Sequence, residues 1–329
     1  MSFRDVDVII RRDMPIPAAT LRPTHSTYGN LILKPRYNFT SPAISANIGR
    51  MIPSVTLPSG ETVSALGQGT WHMGESSGRE AAEVQALRAG IEHGLRLIDT
   101  AEMYAAGGAE RVVAQAIAGQ RDKTFIVSKV SPQNASRAGV QKSCEASLCR
   151  LGVETIDLYL LHWPGRHPIA ETVDAFERLR ETGKIRHWGV SNFDLKEMHD
   201  IAALPAGAAC ATDQVLYHLA ARGIEFSLLP WCRARKMPVM AYSPLGQAGS
   251  LLRSPALAAI ARRHHATPAQ IALAWSIRDG NTISIPKTAS TAHLDENIAA
   301  MAITLTPEDL TEIDAFHKPP HRKQALGML

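Results

Sequence analysis

Cysteine is scarce. The 329 residues hold four, Cys144, Cys149, Cys210 and Cys232, with no CxxC pair and no metal-ligand spacing. That excludes a disulfide scaffold and a zinc ribbon, and it suits a reducing compartment. Aromatic residues make up only 5% of the chain. No apolar run approaches the roughly 20 residues of a bilayer-spanning helix, so an integral membrane protein is not expected. Familiar catalytic signatures are also missing: there is no GxSxG elbow, no HExxH and no cysteine with an obvious activating partner. Gly67-x-Gly69 has His72 where a dinucleotide fingerprint needs its third glycine.

An excess of one charge is missing from most of the chain. Residues 1–50 hold Arg4, Arg11, Arg12, Arg22, Lys34, Arg36 and Arg50 against Asp5, Asp7 and Asp13, which is the whole net charge of +4. Residues 51–329 therefore balance, and nothing in them attracts nucleic acid or an anionic membrane through overall charge. The first fifty residues also lack periodicity and are punctuated by Pro15, Pro17, Pro23, Pro35 and Pro42. Arg11-Arg12 is followed by Asp13-Met14-Pro15 where a twin-arginine signal needs an apolar stretch, and a transit peptide would need an amphipathic helix. The segment reads as a flexible extension without a targeting role, or as sequence upstream of a natural start at Met51. The remainder is expected to be cytoplasmic.

From Met51 the pattern becomes regular. Ser54-Val55-Thr56-Leu57 and Glu61-Thr62-Val63 flank Ser59-Gly60, which reads as a small hairpin. Short aliphatic runs then recur, each followed by a longer helical pattern. They include Leu95-Leu97-Ile98, Phe125-Ile126-Val127, Ile156 to Leu161, Ile185 to Val190, the stretch around Val215, Val239-Met240-Ala241 and Ile283 to Ile285. Val84, Leu87 and Ile91 form one helical stripe, and Val140, Cys144, Leu148 and Leu151 form another, which assigns Cys144 to a core. About eight strand–helix units over this length predict a (β/α)₈ TIM barrel, with a doubly wound sheet as the alternative.

The residues that end these strands are unusual. Asp99 follows Leu97-Ile98, Lys129 follows Val127-Ser128, His162 follows Leu160-Leu161, and Ser191-Asn192 follow Gly189-Val190. Gln214, Tyr242 and Lys287 end the later runs. In a parallel barrel all strand C-termini open on one face, so residues far apart in sequence converge there. Singly, each has a bland explanation: a satisfied core histidine, a helix cap, a surface charge. Seven in succession point to a site.

Asp99, Lys129 and His162, with Tyr104 in the following loop, form a proton-transfer set without a nucleophile. A free phenol has a pKa of about 10, too high for efficient acid work near neutrality, and a nearby ammonium lowers it. Such a set serves carbonyl reduction if a bound cofactor brings the hydride.

The motifs Leu97-Ile98-Asp99-Thr100-Ala101-Glu102-Met103-Tyr104, Val127-Ser128-Lys129, Leu161-His162-Trp163-Pro164, Gly189-Val190-Ser191-Asn192-Phe193, Gln214-Val215, Ala241-Tyr242-Ser243-Pro244-Leu245 and Ile285-Pro286-Lys287 together resemble the aldo-keto reductase family over residues 51–329. Gly67-Gln68-Gly69-Thr70-Trp71 and Leu229-Pro230-Trp231-Cys232 are most similar to bacterial aldehyde reductases of the methylglyoxal reductase and diketogulonate reductase kind. The resemblance implies a barrel that binds NADPH across its C-terminal mouth and reduces a small carbonyl substrate, working as a monomer.

It implies residue roles as well. Tyr104 corresponds to the proton donor, Lys129 and Asp99 to the pair that lowers its pKa, and His162 to the group that orients the carbonyl. Ser191, Asn192 and Gln214 correspond to nicotinamide carboxamide contacts, and Tyr242 to the ring on which the nicotinamide stacks. Ser243 and Leu245 match pyrophosphate and ribose contacts. Lys287 and Thr288 match the 2′-phosphate grip, and Glu296 and Asn297 the adenine contacts. His293 stands where many relatives place arginine, and Asp213 where many have asparagine.

Trp71 and Trp163 are candidate walls of the substrate pocket, or simply packing at the barrel top. No metal site is expected; His264-His265 close a helix where cations suit the dipole. Two other functions fit parts of the pattern: a class I aldolase-type lyase with Lys129 as the Schiff-base residue, and a non-catalytic NADPH-binding scaffold. The short loop after His162 and the short tail after Pro320 predict an open pocket.

Overall fold

The computed structural model describes residues 52–329; the expectations for residues 1–50 and for a start at Met51 lie outside the described residues. A two-stranded antiparallel hairpin, β1 (Ser54–Thr56) and β2 (Thr62–Ser64), precedes eight parallel strands. These are β3 (Gln68–Gly69), β4 (Leu97–Asp99), β5 (Phe125–Val130), β6 (Ile156–Leu161), β7 (Ile185–Ser191), β8 (Cys210–Leu216), β9 (Val239–Tyr242) and β10 (Thr282–Ile285), hydrogen-bonded in chain order. Parallel bridges Leu66–Ser284 and Gly69–Lys287 join the first strand region to the last. The ring therefore closes as a (β/α)₈ barrel, which removes the doubly wound alternative.

Alternation along the strands explains both the core and the site. Leu97, Phe125, Val127, Leu158, Leu160, Met240, Ile283 and Ile285 share one buried cluster with Val55, Leu57 and Val63 of the hairpin. Their neighbours Ile98, Ile126, Tyr159, Leu161 and Ala241 belong to a second cluster with the helices. Side chains of a strand alternate in direction, so the first set fills the barrel and the second faces the helical ring. Each buried aliphatic side chain contributes about 1.5–3 kcal/mol. Continuing the inward parity to the strand ends brings Asp99, Lys129, His162, Tyr242 and Lys287 to the mouth. Strand β8 needs a correction to its parity. Trp188 pairs with Cys210, yet Val190 pairs with Asp213, so β8 carries an extra residue against β7. This bulge lets Ala211 pack inside while Gln214, three residues on, also faces inward.

The helices are α1 (Ser77–Glu92), α2 (Gly108–Ile117), α3 (Arg137–Leu151), α4 (Ile169–Glu181), α5 (Leu195–Ala202), α6 (Leu228–Ala234), α7 (Pro255–Arg263), α8 (Pro268–Ile277), α9 (Thr291–Ala299) and α10 (Pro307–Phe316). Local sequence fixes their ends. Ser136 accepts from Gly139 N at the start of α3, and Gly152 ends that helix at φ +65°. Capping boxes Thr267/Gln270 and Thr306/Asp309 open α8 and α10, each with proline at the first helical position. In the predicted stripes Leu87, Ile91, Val140, Cys144 and Leu151 are buried, and Val84 and Leu148 are half-buried against the core. Among the described residues no helix is long and apolar enough to cross a membrane.

Candidate active site

Lys129 lies at the bottom of the mouth with no exposed surface. Its ammonium donates to Asp99 Oδ2 at 2.8 Å and to the Thr100 carbonyl at 2.8 Å, and it lies 3.4 Å from the Tyr104 hydroxyl. Burial pulls the lysine pKa down, but Asp99 and Tyr104 together more than offset this, so the amine stays charged. The Asp99 carboxylate is held from two sides: Gln214 Nε2 donates to its other oxygen at 2.7 Å. A carboxylate only accepts, so it fixes which way the Gln214 amide faces. The second Nε2 hydrogen meets Met240 Sδ, and Gln214 Oε1 has no partner among the described residues.

At Tyr104 the Lys129 ammonium acts in the expected direction, but burial opposes it. Burial raises its pKa more than the Lys129 ammonium lowers it, and the Asp99 charge adds to the rise. The net result is a phenol above its ordinary value, one that keeps its proton at neutral pH. His162 packs edge-on to Tyr104, ring centroids 5.6 Å apart, and against Trp163 at 4.9 Å. Burial and the nearby ammonium push its pKa down to about 2, so the imidazole is neutral.

The β7 end forms the adjoining wall. Ser191 Oγ donates to the Gln214 carbonyl at 2.7 Å, and Asn192 Nδ2 donates to the His162 carbonyl at 3.1 Å. Tyr242 donates its hydroxyl proton to Asn192 Oδ1 at 2.8 Å. Asn192 and Ser243 sit at φ +59° and +49°, left-handed conformations that surrounding contacts must hold. The unusual Asp213 is fully buried behind this wall, where it accepts from Phe193 N at 3.4 Å. Burial raises its pKa above the ordinary carboxylate value.

A cavity of about 470 Å³ opens over these groups. Asp99, Tyr104, His162, Trp71, Trp163, Ser191, Asn192, Gln214, Tyr242, Ser243 and Lys287 line it. Lys129 does not line it, nor do Leu245, Thr288, His293, Glu296 and Asn297. Leu245 packs against the core, Thr288 Oγ1 bonds within its own turn to Ser290, and Asn297 is buried in α9. His293 is exposed in the first turn of α9. Sequence reading missed several lining groups: His72 and Glu75 beside Trp71, Met103 before Tyr104, and Met328 and Leu329. His72 and Met103 directly adjoin recognised residues and could have been suspected from that, whereas Glu75 lies four positions after Trp71. The last two carry no local signal; the short tail turns back onto the mouth and narrows an opening expected to be free.

The profile of the Aldo/keto reductase family matches residues 65–318. The chain is 51% identical over 272 residues to methylglyoxal reductase YeaE of Escherichia coli K12, covering 82% of this chain and 96% of that protein. It is 32% identical over 265 residues to glyoxal reductase of Bacillus subtilis 168, covering 80% and 93%. A crystal structure of an aldo/keto reductase from Klebsiella pneumoniae in complex with NADP and acetate superposes with a TM-score of 0.83 at 49% identity, covering 84% of this chain and all of that one. A second from the same organism, in complex with NADPH, gives the same score and identity. Fold, strand-end residues and these similarities agree: the chain belongs to the aldo/keto reductase family.

Proposed function

We propose that the protein reduces small aldehydes, ketoaldehydes or dicarbonyls of the methylglyoxal type to alcohols with NADPH, and that Tyr104 donates the proton. The observation that carries the reading is the Gln214–Asp99–Lys129–Tyr104 chain of contacts ending in a cavity beside a neutral His162. The polar groups present fit the cofactor. Gln214 Oε1 is free to accept from an amide, the Tyr242 ring lines the cavity, and Lys287 is exposed with no carboxylate partner among the described residues. NADPH, when bound, supplies the hydride.

The chain's own residues supply the rest. His162, neutral, offers one N–H to the substrate carbonyl oxygen and orients it. Tyr104 gives its proton to that oxygen as negative charge grows there. Lys129 then stabilises the phenolate left behind, while Asp99, gripped by Gln214, keeps the ammonium in place. Trp71, Trp163 and Met103 give the cavity apolar walls, and its size suits a small ligand. The lyase alternative fares poorly because Lys129 is charged, paired and outside the cavity, whereas a Schiff base needs a neutral amine within reach of substrate.

NADPH oxidation followed with a panel of aldehydes, dicarbonyls and keto-sugar acids tests the reading and separates it from a non-catalytic scaffold. Tyr104→Phe should lower turnover by about two orders of magnitude or more while NADPH affinity, read by fluorescence quenching, hardly changes. A wild type without turnover, or a phenylalanine variant that keeps most of it, would refute the proposal.

A further inference from the structure

We propose that His72 and Glu75, on the cavity wall beside Trp71, form a general-base dyad that dehydrates the gem-diol form of α-oxoaldehyde substrates and so supplies the free carbonyl to Tyr104. The substrate class rests on the function proposed above. His72 Nδ1 lies 2.6 Å from Glu75 Oε1, and both residues line the same cavity as Tyr104 and His162. The carboxylate only accepts, so Nδ1 carries the proton and neutral imidazole keeps its lone pair on Nε2. Among the described residues Nε2 has no partner. The His72 ring is further fixed against Trp71, centroids 4.1 Å apart.

The backbone marks the same place. His72 sits at φ +66°, in the left-handed region that histidine, like asparagine and aspartate, enters more readily than other side chains. The loop is held there by the buried Glu83, whose Oε2 accepts from Gly74 N at 2.9 Å. Gly74 itself, at φ +75°, abuts Gly108 so closely that a Cβ would lie 2.4 Å from the Gly108 carbonyl carbon. The Arg79 guanidinium lies 3.9 Å from the other Glu75 oxygen. A fixed imidazole with its basic nitrogen free, at the rim of a pocket for carbonyl compounds, is arranged for proton transfer to an entering molecule.

The chemistry gives the dyad a task. An aldehyde next to a second carbonyl is electron-poor and adds water readily, and the resulting gem-diol has no C=O for Tyr104 to protonate. In the step assigned to His72, Nε2 removes the proton of one hydroxyl and that oxygen's electron pair forms the C=O bond. The second hydroxyl departs as water with the proton returned by the imidazolium. The gem-diol becomes aldehyde plus water, with no change in oxidation state. Half of the His72 side chain is exposed, so the effect belongs at the low end of general-base catalysis, about 100-fold.

Hydrate–aldehyde exchange of methylglyoxal, followed by proton NMR saturation transfer in cofactor-free protein, tests this without any reduction step. The wild type should accelerate exchange beyond an equal concentration of free imidazole, and Glu75→Gln should lose about tenfold. His72→Asn should abolish the acceleration; asparagine tolerates the left-handed backbone, so this variant retains the loop. With NADPH present, the ratio of kcat/KM for methylglyoxal to that for benzaldehyde should fall in His72→Asn. Exchange no faster than with imidazole, or undiminished in His72→Asn, overturns the proposal. A wild type that speeds exchange yet oxidises no NADPH would refute the reductase reading and leave the dyad standing.

Discussion

His162 shows how burial sets the chemistry of a single side chain. Only 8% of it is exposed, and the Lys129 ammonium is nearby, so protonation in the folded state waits until about pH 2. Unfolded, a histidine takes up its proton near pH 6.5. Below that value the unfolded chain binds more protons than the folded one, so stability present at neutral pH declines as pH falls, at about 1.4 kcal/mol per pH unit from this group. Urea unfolding midpoints measured from pH 7 to pH 4 should therefore fall less steeply for His162→Gln than for the wild type. The same neutrality means that the pH–rate profile should lack an imidazole limb belonging to His162. At His293 the expected outcome concerns affinity. Arginine there offers a charged, forked grip on a phosphate, so His293→Arg should tighten NADPH binding and leave NADH binding nearly unchanged, as fluorescence titration with both nucleotides would show.

At the scale of elements, two contacts around β7 bear on stability. Glu61, on the loop into β2, accepts from Arg186 Nη2 at 2.6 Å and pairs with His187 Nε2 at 2.7 Å, fastening the hairpin to β7. Burial raises the Glu61 pKa, but the bonds from His187 and Arg186 lower it further, so the net shift is downward. Its contribution is present above the ordinary carboxylate pKa and is lost as pH falls through the lower folded value. Glu61→Gln should cost about 1 kcal/mol at pH 7, roughly 2 °C in Tm, and the difference from wild type should vanish in acid. The second contact is at Gly189 of β7, where a Cβ would lie 2.6 Å from the Thr212 carbonyl oxygen and 3.0 Å from Leu160 Cδ2. Backbone cannot yield as a flexible side chain does. Gly189→Ala should lower stability by about 1–3 kcal/mol and, by displacing Ser191, weaken NADPH binding; calorimetry and titration check the two effects separately.

For the molecule as a whole, the site is an assembly of strand ends, loops and the C-terminal tail that exists only when the ring is closed. A ligand that binds this assembly and not the unfolded chain must stabilise the fold. NADPH at 100 times its Kd should add about 2.7 kcal/mol, visible as a rise in Tm of several degrees, with a smaller rise for NADH at equal concentration. Equal shifts for the two nucleotides would remove Lys287 from a phosphate-binding role.

Much of this protein is determined locally and was legible as sequence. Strand–helix alternation, the Ser59-Gly60 turn and the inward parity that leads from Leu97 to Asp99 and from Leu158 to His162 depend on neighbours a few residues apart. Other features depend on residues brought together only by closure. The bulge in β8 is a property of its pairing with β7, and it turns Gln214 inward to Asp99. The rise in the Tyr104 pKa is a balance between burial and the Lys129 charge, and sequence names the charge but not the burial. Met328 and Leu329 join the cavity because the tail folds back across the mouth. Sequence sets what each strand offers; the closed barrel sets what each group is buried against, and the burial decides its protonation and its partners.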